Sequence, residues 1–559
     1  ARPIASRRAP RSSRCSPRTS APTSRPGGLL NMCQSPRADL QGLKEASEGN
    51  SNGLRHRTSF AADSPPSPSS KTQKAAKSFR PGAIRVRFSA LKDILRVLQL
   101  RYMANIFHVS AAVLAYQIFA WGYSKPDVVS HLPGETITDA CSRLYADLAY
   151  LAPVFIVAIG SFLLRKEKSV YLLDFALFDP PEDWRTTRQG LLDMLKHAGQ
   201  GESSFRETEL EFMGKVLNNS GTGEATAWPP GIVQCRDSGV KQDQSMEAAR
   251  KEAETVICSC LEDLFQKTGV QPKEVDFLVI NCSLFSPTPS LCAMACNRFQ
   301  MRSDVRTYNL SGMGCSASLI SVDLVSDLLQ NNPNSVAVVV STELITQSLY
   351  HGHEKSMLLQ NTLFRCGGAA ICLTNRPRLV MKARYRLRQL VRTQQTDDES
   401  YGAVFQCEDT TGQSGVRLSK DIVKIAGKCM TKNLTQLGPL ILPLSEQARV
   451  LGSMVRRWLK GKGSGALYVP SFKSAIHFFC IHAGGRAVLD GIEKNLSLDP
   501  GDIAPSRSVL HDKGNTSSSS IWYELRHIEE NKDMRRGHKI LQLAFGSGFK
   551  CNSAVWTRM

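Results

Sequence analysis

Acid is scarce in this 559-residue chain: 50 Asp and Glu stand against 70 Lys and Arg, a formal net charge of +20. Such a balance favours anionic partners, among them nucleic acid, anionic lipid and phosphorylated small molecules. The nucleic-acid branch lacks local support. There is no zinc-finger spacing, no basic coiled-coil region and no basic tract with interleaved aromatics, so no nucleic-acid partner is expected. A disulfide framework is missing too. The 16 cysteines are spread from Cys15 to Cys551, and many sit inside apolar runs, as Cys258, Cys260 and Cys372 do. That is the pattern of small buried hydrophobes in a reducing compartment. Cys292-Ala-Met-Ala-Cys296 and the pair His477 and His482 lack a second cluster at zinc spacing, so no metal is expected. Hydrophobic content of 42% and charged content of 21% are ordinary for a globular chain, and the length allows a large core.

No acidic residue precedes Asp39, and no apolar run in the first eighty or so residues suits a core. Residues 1–84 read as a disordered basic tail rich in Ser, Pro and Arg, with Pro65-Pro-Ser-Pro68 at its low-complexity centre. A solvated cytosolic tail is preferred to an organelle transit peptide of the same composition. Because the sequence opens on Ala1 rather than Met, upstream residues are expected.

Charge is absent from two later stretches, Tyr102–Ser124 and Leu148–Leu164. A bilayer core takes roughly 17 to 25 such residues as helix. Residues 85–168 therefore read as a membrane hairpin with spans at about 102–124 and 145–164, the second extended by Tyr145 and Ala146. Arg85, Arg87, Lys92, Arg96 and Arg101 precede the first span; Arg165, Lys166 and Lys168 follow the second. The loop between is acidic on balance, which places both ends and the large C-terminal part in the cytosol. The Asn309 and Asn433 glycosylation sequons should then go unused.

From about Val170 the chain reads as α/β. Val275–Asn281, Ser335–Ser341 and Gly367–Leu373 are apolar strands, and Leu319–Leu329 has helical spacing. A second series begins near Ala475 and ends in Ile540–Phe545. The folded part divides into a half at 169–376, a less regular insertion and connecting region at 377–462, and a second half at 463–559. The middle region reads as hairpin-rich, followed by an amphipathic helix.

Four segments carry chemistry. In Asn309-Leu-Ser-Gly-Met-Gly-Cys-Ser-Ala an extended run turns at Gly312 and Gly314, and Cys315 opens a helix. The positive helix end should favour its thiolate, the nucleophilic form. Against this stands the ordinary role of a cysteine as a packing residue. His482, in Cys480-Ile-His-Ala-Gly-Gly, ends a strand beside a glycine turn, where site residues tend to sit; His477 should point to the other face and be structural. Asn515, in His511-Asp-Lys-Gly-Asn-Thr-Ser-Ser-Ser-Ser, is either a site residue or, with the serines, a helix cap. The glycines around Ser547 can bring a backbone N–H close to a reacting oxygen.

These segments, with Leu172-Leu-Asp-Phe, Ser356-Met-Leu-Leu and Leu363-Phe-Arg365, resemble the plant-type 3-ketoacyl-CoA synthases, the condensing enzymes of microsomal very-long-chain fatty-acid elongation. The resemblance runs from the hairpin to the C-terminus. It implies a thiolase-like, layered αβαβα fold of two pseudo-repeated halves behind a two-helix membrane hairpin, and residence in the endoplasmic reticulum membrane. It implies a catalytic set at Cys315, His482 and Asn515, with malonyl-CoA and a long-chain acyl-CoA as substrates and no metal or redox cofactor. The backbone N–H groups of Cys315 and Ser547 would hold the oxyanion. His511 and His477 are further candidates, and Arg365 and Lys550 weak ones for the coenzyme A phosphates. A homodimer and other elongase-complex subunits are the implied partners.

Three departures put pocket detail and chain-length preference in doubt. Gln394 stands where relatives carry His, Asp512-Lys513 where they carry Arg-Phe, and Ser318 where they carry Gly. Three rival readings remain: a type III polyketide synthase, a plastid condensing enzyme that uses acyl-carrier protein, and a non-catalytic elongase scaffold.

Overall fold

The structure, a computed structural model, describes residues 169–198, 205–236, 240–460 and 468–559. The tail (1–84) and the expected hairpin (85–168) lie outside the described residues. Among the described residues no helix is long and apolar enough to cross a membrane.

Val336–Glu343 shows why a sheet forms. The run Val-Ala-Val-Val-Val is rich in β-branched side chains, and every residue of the strand is buried, as expected where helices cover both faces. Besides the short pair Arg185–Thr186 and Thr226–Ala227, the strands are β1 (Tyr171–Leu177), β2 (Phe277–Asn281), β3 (Arg306–Leu310), β4 (Val336–Glu343), β5 (Gly367–Thr374), β6 (Tyr385–Gln394), β7 (Val404–Glu408), β8 (Ser414–Leu418), β9 (Phe478–Ile481), β10 (Lys539–Gly546) and β11 (Lys550–Arg558). Apart from the β7–β8 hairpin, these strands form one nine-stranded sheet in the order β9-β10-β11-β6-β1-β5-β4-β2-β3.

A repeat is visible in that order. In β2-β4-β5-β1 the pairings run parallel, antiparallel, antiparallel. In β9-β10-β11-β6 they run the same way. The two halves join where β1 pairs antiparallel with β6, Tyr171 opposite Arg386.

The helices that matter to the site are α1 (Glu207–Ser220), α2 (Met246–Thr268), α3 (Ala317–Asn331), α4 (Lys355–Leu363), α5 (Ile422–Ile441), α6 (Leu444–Lys460), α7 (Arg486–Leu496), α8 (Pro500–Lys513) and α9 (Ser520–Asn531). Helix α3 touches β2 and β4 of the first half and β11 of the second; α9 touches β9 and β10 of the second and β1 and β5 of the first. These two helices therefore lie between the halves. Helix α2 covers β1, β4 and β5, while α5 covers β6 and β11. The result is a layered α/β arrangement with two apolar cores.

The segment 377–462 departs most from its reading. Tyr385–Gln394 is a strand of the main sheet, paired with β11 from Tyr385↔Arg558 to Gln394↔Lys550. Arg386, Arg388 and Arg392 break up its apolar signature. Their charges are accommodated individually: Arg386 lies over the Tyr171 ring, Arg388 donates to Thr557 and Arg392 pairs with Asp323 on α3. The second series also continues past Phe545 into β11. Of the two sequons, Asn433 is fully buried and donates to the Val391 and Cys551 carbonyls, so the folded chain leaves no room for a glycan there.

Candidate active site

Strand β3 delivers the chain to Gly312 and Gly314, both at positive φ (67° and 66°). Glycine reaches such φ values without the penalty a Cβ would impose. Space requires it as well, since a Cβ on Gly314 would stand 2.6 Å from the Ser547 nitrogen. The β10–β11 turn is thereby held against a short 3-10 turn, Gly314–Ser316, which contains Cys315 and leads into α3. The Gly314 N–H donates to Ser283 Oγ at 2.9 Å.

Cys315 lines a cavity of about 870 Å³. His482, one residue beyond β9, and Asn515, between α8 and α9, line the same cavity, as do Ser547 and Lys550. Its remaining walls are mostly apolar. Phe212 and Val216 come from α1, Leu359 and Leu363 from α4, Val404, Phe405, Val416 and Leu418 from the β7–β8 hairpin, and Ile422 and Ala426 from α5. The segment 377–462 is thus a wall of the cavity.

The expectation of a resting thiolate does not hold. Burial pushes the Cys315 thiol up to about 11; a hydrogen bond with Ser517 opposes this, and the nearby Glu343 charge reinforces it. Desolvation disfavours the charged form of a buried thiol. His482 is buried and lowered to about 4 by the same cause, so its ring is neutral at ordinary pH. The resting pair is thiol and imidazole. Iodoacetamide alkylation of Cys315 should accordingly rise by about tenfold per pH unit between pH 7 and 9, following the thiolate fraction. A rate that levels off near pH 7 would show a stabilised thiolate instead.

His482 Nδ1 lies 2.6 Å from Ser520 Oγ. A hydroxyl can donate or accept, so Ser520 can support either imidazole tautomer. Asn515 is doubly tethered: its Oδ1 accepts from the Ser517 N–H at 2.9 Å and its Nδ2 donates to the Gly484 carbonyl at 3.2 Å. The amide keeps one N–H beyond that bond. Asn515 is therefore a turn cap as well as a cavity residue, and the two readings of it are compatible.

The serines after it are not simple caps. All four are buried, and each hydroxyl has its own partner. Ser517 donates to Glu343 at 3.0 Å, Ser518 to Asn281 at 2.8 Å and Ser519 to the Thr516 carbonyl, while Ser520 meets His482. They form a polar seam between β2 and β4 of the first half and the His482 loop of the second. Buried hydroxyls need such partners.

Glu343 is the residue that sequence reasoning missed. It ends β4, is buried and lines the cavity. Its Oε1 accepts from the Ser283 and Leu284 N–H groups at 2.9 and 2.7 Å, and its Oε2 accepts from Ser517. Burial raises its carboxyl above the usual range, against those hydrogen bonds. A carboxylate closing an otherwise apolar run was the available signal.

Other candidates fall elsewhere. Arg365 is only 1% exposed and cannot meet phosphates at a cavity mouth. It donates to Thr226 and the Phe364 carbonyl and lies over the Trp228 ring, and burial lowers it to about 9. Its backbone N–H donates to the Asn515 carbonyl at 2.9 Å, so it positions the Asn515 loop. Lys550 is half-buried, and its ammonium donates to the Ser547 carbonyl at 2.6 Å. His511 is exposed beside Asp512 and does not line the cavity. His477 stacks on His538 at the far end of β9 from His482. Of the three departures, Gln394 lines the cavity, Ser318 is buried and accepts from Trp522 Nε1 at 2.6 Å, and Lys513 pairs with Asp179.

Residues 162–459 match the family model described as FAE1/Type III polyketide synthase-like protein, and residues 469–558 match the chalcone and stilbene synthases, C-terminal domain. Among curated proteins, 3-ketoacyl-CoA synthase 5 of Arabidopsis thaliana is 47% identical over 76% of this chain and 85% of its own. For 3-ketoacyl-CoA synthase 4 of the same plant the identity is 43%, over 83% and 89%. Among solved structures, 1,3,6,8-tetrahydroxynaphthalene synthase from Streptomyces coelicolor, a bacterial type III polyketide synthase, superposes with a TM-score of 0.53 at 18% identity. It covers 70% of this chain and 99% of its own, which establishes a shared thiolase-like fold. With its paired half-sheets, its Cys315 turn and these relatives, the chain belongs to the 3-ketoacyl-CoA synthases.

Proposed function

We propose that the chain condenses malonyl-CoA with a long-chain acyl-CoA, giving a 3-oxoacyl-CoA, coenzyme A and CO2, in very-long-chain fatty-acid elongation. The observation that carries this reading is the convergence of Cys315, His482 and Asn515, from three separate loops, on one largely apolar cavity.

In the first half-reaction His482 Nε2 takes the Cys315 proton as sulfur attacks the acyl thioester. The tetrahedral oxyanion is met by the Cys315 and Ser547 N–H groups. Coenzyme A leaves with a proton, and an acyl-enzyme remains. In the second, malonyl-CoA loses CO2 and its enolate oxygen is held by the His482 ring and the free Asn515 N–H. The enolate carbon attacks the acyl thioester, and Cys315 is expelled as the thiolate, which takes a proton from solvent to restore the thiol. A neutral imidazole suits both steps, since it can accept a proton first and donate a hydrogen bond afterwards. The apolar walls suit an acyl chain. Lys550 remains a candidate for a coenzyme A phosphate.

Membrane anchoring in the endoplasmic reticulum, with this fold in the cytosol, is supported by the uncharged stretches 102–124 and 148–164 and the basic residues flanking them. The resemblance supports a homodimer and other elongase subunits as partners.

Expression in yeast followed by fatty-acid profiling tests the reaction class. Products one two-carbon unit longer, or a series of such products, are expected. Cyclised polyketides from malonyl-CoA would favour the polyketide synthase reading. Elongation that survives loss of the thiol would favour the scaffold.

A further inference from the structure

Helix α6 is built inside out. Its residues on the protein side are Glu446, which is buried, and Val450, Ser453 and Arg457, which are partly covered. Its apolar residues point away: Leu444, Leu451, Met454, Val455, Trp458 and Leu459 are all exposed, Trp458 by 82%. Of the fourteen exposed large apolar side chains among the described residues, eight lie between Leu444 and Val469. At 100° per residue the six on α6 fall on one stripe. The orientation is held by specific bonds. Glu446 accepts from Tyr468 Oη at 2.8 Å and from the Ser471 N–H at 3.0 Å, and Ser453 Oγ accepts from the Tyr468 N–H at 3.1 Å. The returning chain thus clamps the polar face of α6 and leaves the apolar face outside.

We infer that α6 is an interfacial helix that lies on an anionic lipid surface with this stripe immersed. Charge favours lipid over a second protein. The helix carries Arg449, Arg456, Arg457 and Lys460 against one acid, and that acid is already bonded to Tyr468, Ser471 and Arg449. No ion pair occupies Arg456 or Arg457 among the described residues. A wide apolar stripe with tryptophan and a basic opposite face is the pattern of a helix bound in the headgroup plane. The helix does not span, because its 17 residues include five charged ones.

Leu164, the end of the second uncharged stretch, lies only seven residues before Tyr171 of β1, so the proposed anchor would hold the folded part close to such a surface. To that extent the inference rests on the membrane reading above.

The test places p-benzoylphenylalanine at Trp458, or at the exposed Asp512, in the full chain on phosphatidylcholine–phosphatidylserine vesicles with radiolabelled acyl chains. Lipid adducts should exceed those from position 512 by about tenfold once the stripe is immersed. Flotation with the vesicles, but with equal yields at both positions, would overturn the inference and leave the anchor intact. Adducts at 458 to a second copy in place of lipid would overturn it in favour of a protein interface. A full chain that does not float at all would overturn both readings.

Discussion

Replacement of Cys315 with alanine should abolish acyl-enzyme formation from labelled long-chain acyl-CoA and reduce elongation by about 10⁶, the scale for removing a covalent nucleophile. The thiol has no substitute nearby: the next side chain in its hydrogen-bond path is the Ser517 hydroxyl, which is committed to Glu343. The change removes one sulfur from a site held by backbone and serine contacts, so the fold should survive. Gel autoradiography of the denatured protein gives the readout. A label that persists at wild-type level on Cys315→Ala would place the nucleophile elsewhere.

Loss of the enolate donors should produce a second large effect, with a different signature. His482→Ala and Asn515→Asp should each slow malonyl-CoA decarboxylation by roughly 10² to 10³, the cost of one oxyanion donor. The Asn515 change separates two roles. An aspartate oxygen can still accept from the Ser517 N–H, but both amide N–H groups are gone, the one bonded to the Gly484 carbonyl included. Acyl transfer to Cys315 should therefore suffer far less than decarboxylation in Asn515→Asp. Release of labelled CO2 set against acyl-enzyme formation measures the split. Equal losses in both would mean that Asn515 serves only the loop. Wild-type condensation in both variants would remove the donor model.

Glu343 links these expectations. Through Ser517 it touches the Cys315 thiol and the Asn515 turn at once. The desolvation that raises the thiol also holds His482 neutral. This is the combination that acyl transfer needs, since a cationic imidazole would first have to lose its proton to act as a base. An arrangement poised as thiol and imidazole pays for ionisation only when substrate arrives, and it protects the sulfur from adventitious alkylation.

The sequence by itself determined the local chemistry: the glycine turn at Cys315, the strand end at His482, the turn at Asn515, and the alternation of apolar strands with helices. Each depends on neighbours within a few residues, where backbone preference and side-chain period are legible. Tertiary structure decided the rest. It moved Arg365 from a proposed phosphate contact to a buried support of the Asn515 loop, because its burial depends on Trp228 and Thr226, more than 130 residues away. It drew Tyr385–Gln394 into the sheet despite its arginines, because Asp323, Thr557 and Tyr171 receive them. It turned the serine run into a seam between the halves and left the Cys315 thiol protonated. Burial and partners at long range set ionisation and hydrogen bonding, and neither has a period that the chain displays along its length.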